Sequence, residues 1–511
     1  MKRLLPLVAT IAALWAGACG GGGTQPPPPP PKGPFSNASL NGQYAFSMTG
    51  SEIASSNLTA SNLFTRAGTF TADGKGNVTD GVEDVNLVSG PTPPLHFTGG
   101  SYAVSADGRG TLSLINSTGT LQFSITLTSS STGYITAMPT DGLSTASGNL
   151  FKQDPSAFSL SGIANNYAFD LSGISPNAAA ESIIGQFFST GAGVIRTGFE
   201  DDNDGGTVTN SSIVGVYAAD GLNMSDLPNF GRGQFTLGSV QGVFYIVDHT
   251  RVLLLETVSG GALLGTAVSQ ANIPMNNTGI SGGFVFVMGG GAVAGPITRG
   301  GRLTANGGNV SAVFIDNNLA GQVTSQNPGT GSYTIDSAGS GRGTITFTEP
   351  GVTGTFNFVF YLISPTQGFL QDQTANFEAD GTLLGQPSMI SDSSLAGNYA
   401  FSWSGVSSTD VTTDEEDFVG QLNLSAGSFT GALDLNEFAS GRQFTDLVTN
   451  GTLNLSADPT THNAFVANLV ANPSAKLTFF AYVGNNGTIL LMGTQSNVRV
   501  IAGVLSFQSP Q

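Results

Sequence analysis

The sequence predicts an all-β protein of four tandem antiparallel meander domains, each most simply an eight-stranded up-and-down barrel. Three observations predict this fold class. The chain is poor in charge and rich in glycine, one aromatic strand motif recurs four times, and short alternating runs separated by glycine turns fill the intervals. β-Sandwiches are the alternative, although their long cross-connections are hard to place among turns this short.

The composition sets the broad class of the protein. Charged residues make up 10% of the 511 residues, whereas soluble domains usually carry about 25%. The 71 glycines are about twice the usual share of roughly 7%. Because 39% of the residues are hydrophobic, the chain can build cores, which excludes charge-driven disorder and a collagen repeat. The length predicts roughly three to five domains.

The N-terminus has the anatomy of an export signal. Met1, Lys2 and Arg3 precede an apolar run over residues 4–18, which ends in small residues before Cys19. Fifteen residues in a helix span about 22 Å, less than the roughly 30 Å of a hydrocarbon core. We therefore predict a signal peptide over residues 1–18 and export of the rest.

The end of this segment, Ala16-Gly17-Ala18-Cys19, resembles the signal of bacterial lipoproteins. The resemblance implies that Cys19 is lipidated and anchors the mature chain in a membrane. Gly20 stands where that family has Asp in proteins kept from the outer membrane, so the resemblance implies an outer-membrane or cell-surface location. Ala16 departs from the more frequent Leu, and ordinary secretory cleavage is the alternative. No other cysteine exists to pair with Cys19.

Residues 19–35 read as a tether. Four glycines follow Cys19, and six consecutive prolines occupy residues 26–31. Glycines give a flexible joint, and six prolines in a polyproline II helix span roughly 19 Å. The tether would hold a folded body away from the membrane.

One strand motif marks four repeats. It begins with an aromatic residue, alternates large with small or polar residues, and has a glycine six positions later. The first aromatic residues are Tyr44, Tyr167, Phe284 and Tyr399. They lie 123, 117 and 115 residues apart, so each repeat is large enough for its own core. Alternation with a period of two predicts a strand with one buried face.

The motif spacing divides the chain after the tether into four predicted domains. Their bounds are residues 36–155, 156–273, 274–390 and 391–511. In the first of them, runs such as Leu121 to Leu127 alternate with turns rich in Gly and Asp, which supply the positive φ of tight hairpins. Eight such strands in a meander hide their edges best by closing into a barrel. No capped 3.6-residue pattern is present, so little helix is expected.

The Gly-x-Tyr start of repeats one and four, at Tyr44 and Tyr399, weakly resembles the Gly-x-Trp start of lipocalins. The repeat size is similar to that of avidin-like barrels. Both resemblances imply eight-stranded barrels. Tyr or Phe stands where these families have Trp, so their ligand binding is not carried over.

The most regular polar feature is an Asp-x-Asn pair after the first hairpin of each repeat. Its members are Asp84 and Asn86, Asp201 and Asn203, Asp316 and Asn318, and Asp434 and Asn436. Spacing of two places both side chains on one strand face or around one turn. They form either an oxygen-rich rim for a hard cation such as calcium or turns in which Asp and Asn bond their own backbone.

Repeat two adds carboxylates to this pair and makes calcium the one cofactor that the sequence suggests. Asp201, Asp202 and Asp204 stand in a loop that ends in Gly205 and Gly206. The segment does not match an EF-hand, whose twelfth position requires Glu. We predict a weak calcium site at these three aspartates.

A Gly-Arg-Gly segment opens a strand in three repeats, at Arg109, Arg232 and Arg342, and repeat four has Asp458-Pro459 instead. The arginine either covers a barrel end with its long stem or contacts an anion.

Signals of catalysis are weak. His96, His249 and His462 occupy non-equivalent places in three repeats, so no shared base or zinc site is assembled. Cleavage of the signal removes Lys2 and Arg3, which leaves 14 basic and 34 acidic residues and a net charge of −20. This charge opposes binding to nucleic acid.

Three hypotheses about function follow. The first is a non-enzymatic, lipid-anchored envelope protein with a structural, adhesive or surface-binding role toward a glycan or another surface protein. The second is a carrier of small apolar ligands inside the barrels. The third is a hydrolase with a site between repeats, which would need paired carboxylates or histidines in one cleft.

Overall fold

A computed structural model describes residues 34–53, 61–140, 143–325, 328–348, 350, 354–407, 414–437, 442–456, 462–470, 476–495 and 499–510. The predicted signal peptide, Cys19 and the tether up to residue 33 lie outside these residues. The fold is all-β and consists of four closed, eight-stranded, antiparallel up-and-down barrels. The predicted fold class is confirmed, and the sandwich alternative is wrong.

Barrel 1 follows a 3-10 turn at Asn37–Ser39. Its wall and two short added strands are β1 (Asn41–Ile53), β2 (Ser61–Asp73), β3 (Asn77–Leu87), β4 (Gly90–Pro91), β5 (Leu95–Phe97), β6 (Gly99–Val104), β7 (Arg109–Asn116), β8 (Gly119–Leu127), β9 (Thr132–Ala137) and β10 (Ser144–Lys152). The added strands β4 and β5 pair with β3, and the pairing of β1 with β10 closes the wall.

Barrel 2 follows 3-10 turns at Pro155–Ala157 and Leu160–Ile163. Its strands are β11 (Asn166–Ile174), β12 (Ala180–Ser189), β13 (Val194–Asp204), β14 (Thr207–Ala218), β15 (Arg232–Leu237), β16 (Val240–Asp248), β17 (Arg251–Glu256) and β18 (Ala262–Ser269). The short helix α1 (Asp226–Phe230), between β14 and β15, is the one α-helix in the described part of the chain.

Barrel 3 follows a 3-10 turn at Asn277–Gly279. Its strands are β19 (Ser281–Ala292), β20 (Gly295–Asn306), β21 (Asn309–Leu319), β22 (Gln322–Ser325), β23 (Gly329–Ile335), β24 (Arg342–Thr348), β25 (Phe356–Ser364), β26 (Gln367–Asp372) and β27 (Phe377–Gly385). The short β22 pairs only with β21 and stands outside the wall.

Barrel 4 contains β28 (Gly397–Ser407), β29 (Asp414–Ser425), β30 (Ser428–Glu437), β31 (Arg442–Asn454), β32 (Asn463–Leu469), β33 (Lys476–Val483), β34 (Thr488–Gly493) and β35 (Val500–Phe507). Across all four barrels, none of the described helices has the length and apolar character of a membrane span.

The recurring aromatic motif forms the first strand of each barrel and fills its interior. In barrel 1, Tyr44, Phe46 and Met48 are at most 1% exposed and belong to one core cluster. The second aromatic residue of each motif lies against a glycine of the next strand, and a Cβ atom on that glycine would stand 2.5–2.7 Å from the ring. These pairs are Phe46 with Gly68, Phe169 with Gly185, Phe286 with Gly301, and Phe401 with Gly420. The predicted core role of the stripe is confirmed.

The barrel interiors are packed with side chains. A cavity of about 30 Å³ lies in barrel 2 among Tyr167, Phe187, Tyr217 and Phe244. Ligand pockets usually measure roughly 300–1,000 Å³. The cavity in barrel 2 is therefore about ten times smaller than the lower end of that range. The carrier hypothesis stays a prediction.

The four barrels contact one another in a closed ring. Each barrel places its first strands against the last three strands of the following barrel: β1 and β2 on β16–β18, β11 and β12 on β25–β27, β19 and β20 on β33–β35, and β28 and β29 on β8–β10. The last of these interfaces joins barrel 4 back to barrel 1. The same two faces of each barrel thus form every junction.

Both ends of the described chain meet at the junction of barrels 4 and 1. Pro34 and Pro510 line one surface depression together with Phe35 and Gln508. The linker from barrel 1 to barrel 2 reads Gln153-Asp154-Pro155-Ser156-Ala157-Phe158-Ser159, and the chain ends read Gln508-Ser509-Pro510-Gln511 and Phe35-Ser36. Residues 34–36 and 508–510 therefore occupy the place that a linker takes in the other junctions.

Candidate functional site

The Asp-x-Asn pairs lie in the four junctions of the ring. The aspartates Asp84, Asp201, Asp316 and Asp434 are 0–7% exposed. Each projects from the third wall strand of one barrel toward the following barrel. The sequence placed these eight residues on a polar rim or in turns; the structure buries them, because the outward face of that strand is covered by another barrel.

Asp84 of barrel 1 is held by Arg232 of barrel 2. Arg232 donates from Nε and Nη2 to the two carboxylate oxygens of Asp84, at 2.7 and 2.8 Å. Tyr245, which pairs with Arg232 across the sheet, donates its hydroxyl to the same carboxylate. Burial, and then the Asp84 carboxylate, raise the pKa of Tyr245 well above its usual value. Arg232 also donates to Asp220 at 2.5 Å, so one buried arginine joins two carboxylates.

The same arrangement joins barrels 2 and 3. Arg342 donates from Nε and Nη2 to Asp201, both at 2.7 Å. Tyr361, which pairs with Arg342 across the sheet, donates to Asp201 at 2.7 Å. The anion that the Gly-Arg-Gly segment contacts here is therefore a carboxylate of the preceding barrel.

Barrels 3 and 4 use histidine in place of arginine. Nδ1 of His462 lies 2.9 Å from Asp316 Oδ2, and Tyr482 donates its hydroxyl to the same oxygen. His462 directly precedes Asn463, which pairs with Ala481. It therefore stands opposite Tyr482, as Arg232 stands opposite Tyr245. Repeat four retains the polar position despite lacking the Gly-Arg-Gly segment.

At the junction of barrels 4 and 1, the arginine bonds a different aspartate from the one in the Asp-x-Asn pair. Arg109 donates to Asp446 at 2.7 Å, and the backbone N–H of Asp446 donates to Asp434 at 2.8 Å. Thr126 pairs with Arg109 where the other barrels have tyrosine. Arg109 therefore has threonine and not tyrosine opposite it. It is linked to Asp434 through hydrogen bonds of Asp446.

The asparagines bond backbone of the following barrel. In every junction the Nδ2 group donates to two carbonyl oxygens, at 2.7–3.4 Å. The acceptors are Val258 and Gly261 for Asn86, Asp372 and Phe377 for Asn203, Gly493 and Arg499 for Asn318, and Ala137 and Ser144 for Asn436.

A glutamine after the last strand of each barrel completes the junctions, and it is not among the site residues predicted from the sequence. Gln153, Gln270, Gln386 and Gln508 recur at intervals of 117, 116 and 122 residues. Three of them donate Nε2 to two carbonyls of the following barrel, counting barrel 1 as the one after barrel 4. The acceptors are Phe230 and Ile246, Ser340 and Leu362, and Asp107 and Leu127. The matching intervals are the signal that would have identified them.

The three aspartates predicted to bind calcium are divided by the junction. Asp201 faces barrel 3 and accepts bonds from Arg342 and Tyr361, while Asp202 and Asp204 lie on the opposite face of β13. Among the described residues, no three His, Cys, Asp or Glu side chains are grouped to hold a metal ion. Calcium binding at these aspartates stays a prediction.

Paired carboxyl groups, which the hydrolase hypothesis requires, occur between barrels 2 and 3. Asp170 is hydrogen-bonded to Asp380, and Glu378 bonds Ser182 beside them. All three carboxyl residues are at most 9% exposed. The pair is therefore buried between packed strands, where it bonds barrel 2 to barrel 3.

The hydrogen bonds that close the ring, between barrels 4 and 1, can be tested by mutation. Changing Asn436→Ala together with Gln508→Ala removes four hydrogen bonds to carbonyls of barrel 1. Each buried carbonyl left unsatisfied costs about 1–3 kcal/mol. We expect the ring to open, so small-angle scattering should give a larger radius of gyration while circular dichroism keeps the β-sheet signal.

The matched control is Asn86→Ala with Gln153→Ala, which removes the corresponding bonds between barrels 1 and 2. The chain itself joins these two barrels, so a smaller expansion is expected. An unchanged scattering profile and thermal midpoint in the first variant would contradict a ring held at this junction.

Comparison with known proteins adds only distant structural likeness. No protein-family model and no curated protein matches the chain. Among solved structures, transferrin binding protein B from Haemophilus parasuis is similar at 10% identity and a TM-score of 0.19, over 73% of this chain and 82% of that one. The protein from serogroup B Neisseria meningitidis is similar at 8% identity and a TM-score of 0.20, over 73% and 83%. These scores carry no inference about function.

Proposed function

We propose that this chain is a non-enzymatic, lipid-anchored envelope protein whose four barrels act as one rigid body with a structural or surface-binding role. The observation that carries the proposal is that the recurring polar residues bond neighbouring barrels to each other. Asp84, Arg232, Asn86 and Gln153, with their counterparts in the other repeats, hold barrel to barrel. Residues that recur for assembly favour a scaffold over four separate ligand carriers.

The position of the chain ends supports anchoring. The described chain starts at Pro34, beside the junction of barrels 4 and 1. The glycine and proline tether would leave the ring there and run to Cys19. The whole ring would then be attached to the membrane through acylated Cys19 alone. Its binding partner would be a glycan or another surface protein. Acyl chains on one cysteine supply membrane affinity that a body of net charge −20 lacks.

The anchor is tested by Cys19→Ser. We expect wild type to sediment with membranes and to carry a fatty-acyl mass on its N-terminal peptide, and we expect the variant to lose both. The matched control is Gly20→Ser, which alters the same segment but keeps the thiol. Wild type without an acyl mass, or a mature N-terminus other than Cys19, would contradict the proposal.

A further inference from the structure

One strand of barrel 2 has a free edge. β14 pairs with β13 from Thr207 opposite Asp204 to Val216 opposite Val194, with a register shift between Ile195 and Gly198. On its other side, only Gly215 to Ala218 pair with β15. Residues 207–213 therefore present backbone that pairs with no strand on this side within the described structure, whereas the Val214 carbonyl accepts a hydrogen bond from the Gly238 N–H at 3.1 Å. The Val214 side chain is 69% exposed. Such an edge is a template for another strand.

The other barrels block the corresponding edge. In barrel 1 that stretch contains Pro91, Pro93 and Pro94, and prolines cannot donate to a ladder. In barrel 3 it is the short β22, with Pro328 following it. In barrel 4 the stretch contacts barrel 1 through Gln443 and Asp446. Residues 207–213 contain neither proline nor charge, whereas residues 442–448 of barrel 4 include Arg442 and Asp446. Within the described residues, the edge of barrel 2 is therefore the least obstructed of the four.

A row of carboxylates lies one strand behind this edge. Glu200, Asp202 and Asp204 stand opposite Ser211, Thr209 and Thr207. Ser211 donates to Glu200 at 3.1 Å, which shows that the two rows share a face. Glu200 is only 8% exposed. One oxygen each of Glu200, Asp202 and Asp204 is buried without a hydrogen-bond partner.

Within the described residues, no basic side chain lowers the pKa of Glu200 or Asp202 in this row. In barrels 1 and 3 the second strand of the barrel carries an arginine. Arg66 of barrel 1 lies near Glu83, and Arg299 of barrel 3 is bonded to Asp372. Both arginines stand opposite a methionine of the first strand, and Ile183 holds the equivalent place in barrel 2. Glu181 and Glu256 are further carboxyl groups beside the row.

The titration of these groups agrees with an unneutralised cluster. Burial raises the pKa of Glu200 to about 7, of Asp202 to about 6 and of Glu256 to about 7. Burial, and then the neighbouring Asp202 and Asp204, raise the pKa of Glu181 to about 8. A bound cation would relieve this repulsion.

We propose that the free edge of β14 binds an extended peptide segment of a partner protein that carries Lys or Arg at alternate positions. The segment would add as a strand about 4.8 Å from β14. Its basic side chains would pass over the short side chains of Thr209 and Ser211 to the carboxylates of Asp202 and Glu200. This deepens the proposed surface-binding role but is independent of the anchor, so its failure leaves the Cys19 test untouched.

The first test uses a fluorescent ten-residue peptide of alternating Lys and Thr and the mature chain in mild detergent. Fluorescence anisotropy should show binding that Asp202→Asn with Asp204→Asn weakens at least tenfold. The control, Asp80→Asn with Asp392→Asn, removes the same charge from exposed residues of barrels 1 and 4 and should bind as wild type does. Equal weakening in both variants, or no binding at 100 µM peptide, would overturn the proposal.

The second test separates strand addition from simple attraction of charge. Two peptides are N-methylated at odd or at even residues, which blocks backbone donors on one side of the strand or the other. Strand addition predicts that one peptide loses binding and the other keeps it. Equal binding or equal loss would overturn the proposal, and so would sedimentation showing a dimer that the peptide dissociates, since a second copy would then occupy the edge.

Discussion

Replacing Asp84 with alanine is expected to destabilise the junction of barrels 1 and 2 more than any other single change in the ring. Arg232 is 2% exposed and donates two bonds to Asp84. The change leaves the guanidinium with Asp220 as its bonded carboxylate and removes the acceptor of the Tyr245 hydroxyl. Removing one partner of a buried ion pair costs about 3–5 kcal/mol.

The measurement is denaturant unfolding of the full chain, together with limited proteolysis of the linker over residues 153–165. We expect a lower unfolding midpoint and faster cleavage of this linker. Asp201→Ala is the matched comparison. The side chain of Arg342 is 25% exposed, so water can replace part of the hydrogen bonding that Arg342 loses with Asp201. A larger effect in Asp201→Ala than in Asp84→Ala would contradict this account.

The fold could be predicted from the sequence because its signals are local. Alternation in the first strand puts Tyr44, Phe46 and Met48 on one face, and glycine turns fix a meander. The eight-stranded barrel follows from strand count and the need to hide edges. The glycine that receives each aromatic ring, such as Gly68 against Phe46, is a packing detail that the strand pattern does not show.

The junctions could not be predicted because the pattern gives the face of a residue but not what covers that face. Asp84 and Arg232 are 148 positions apart and belong to different repeats. The repeat pattern relates each motif to its own counterparts, whereas the Asp-x-Asn aspartate of one repeat bonds the Gly-Arg-Gly arginine of the following repeat. His462 was missed for the same reason: its role follows from its place opposite Tyr482, not from its residue type.

The junction of barrels 2 and 3 is expected to weaken as pH rises. Burial first, and then neighbouring acidic groups, raise the pKa of Asp380 well above its usual value. Burial also raises the pKa of Asp170 and of Glu378. The unfolded chain has ordinary carboxyl pKa values of about 4, so between those values and the raised ones the folded state holds more protons than the unfolded state.

The sign follows from this difference in bound protons. Stability is then highest in acid and falls as pH rises from about 4 through the raised pKa values, by about 1.4 kcal/mol per pH unit for each carboxyl that titrates. Asp380→Asn supplies a neutral group of the same shape, so its stability should depend less on pH. At pH 8 the variant is expected to be more stable than wild type, and at pH 4 the two should be close.

Thermal unfolding of wild type and of Asp380→Asn from pH 4 to pH 8 measures the difference in their stability at each pH. The titration of all other groups is common to both proteins and cancels in this difference. Asp80→Asn is the control, since Asp80 is exposed on barrel 1 and should leave the wild-type slope unchanged. A variant and wild type with parallel pH profiles would mean that Asp380 is already ionised in the folded ring. The pair would then be held by bonds such as that to Ser172 and not by a retained proton.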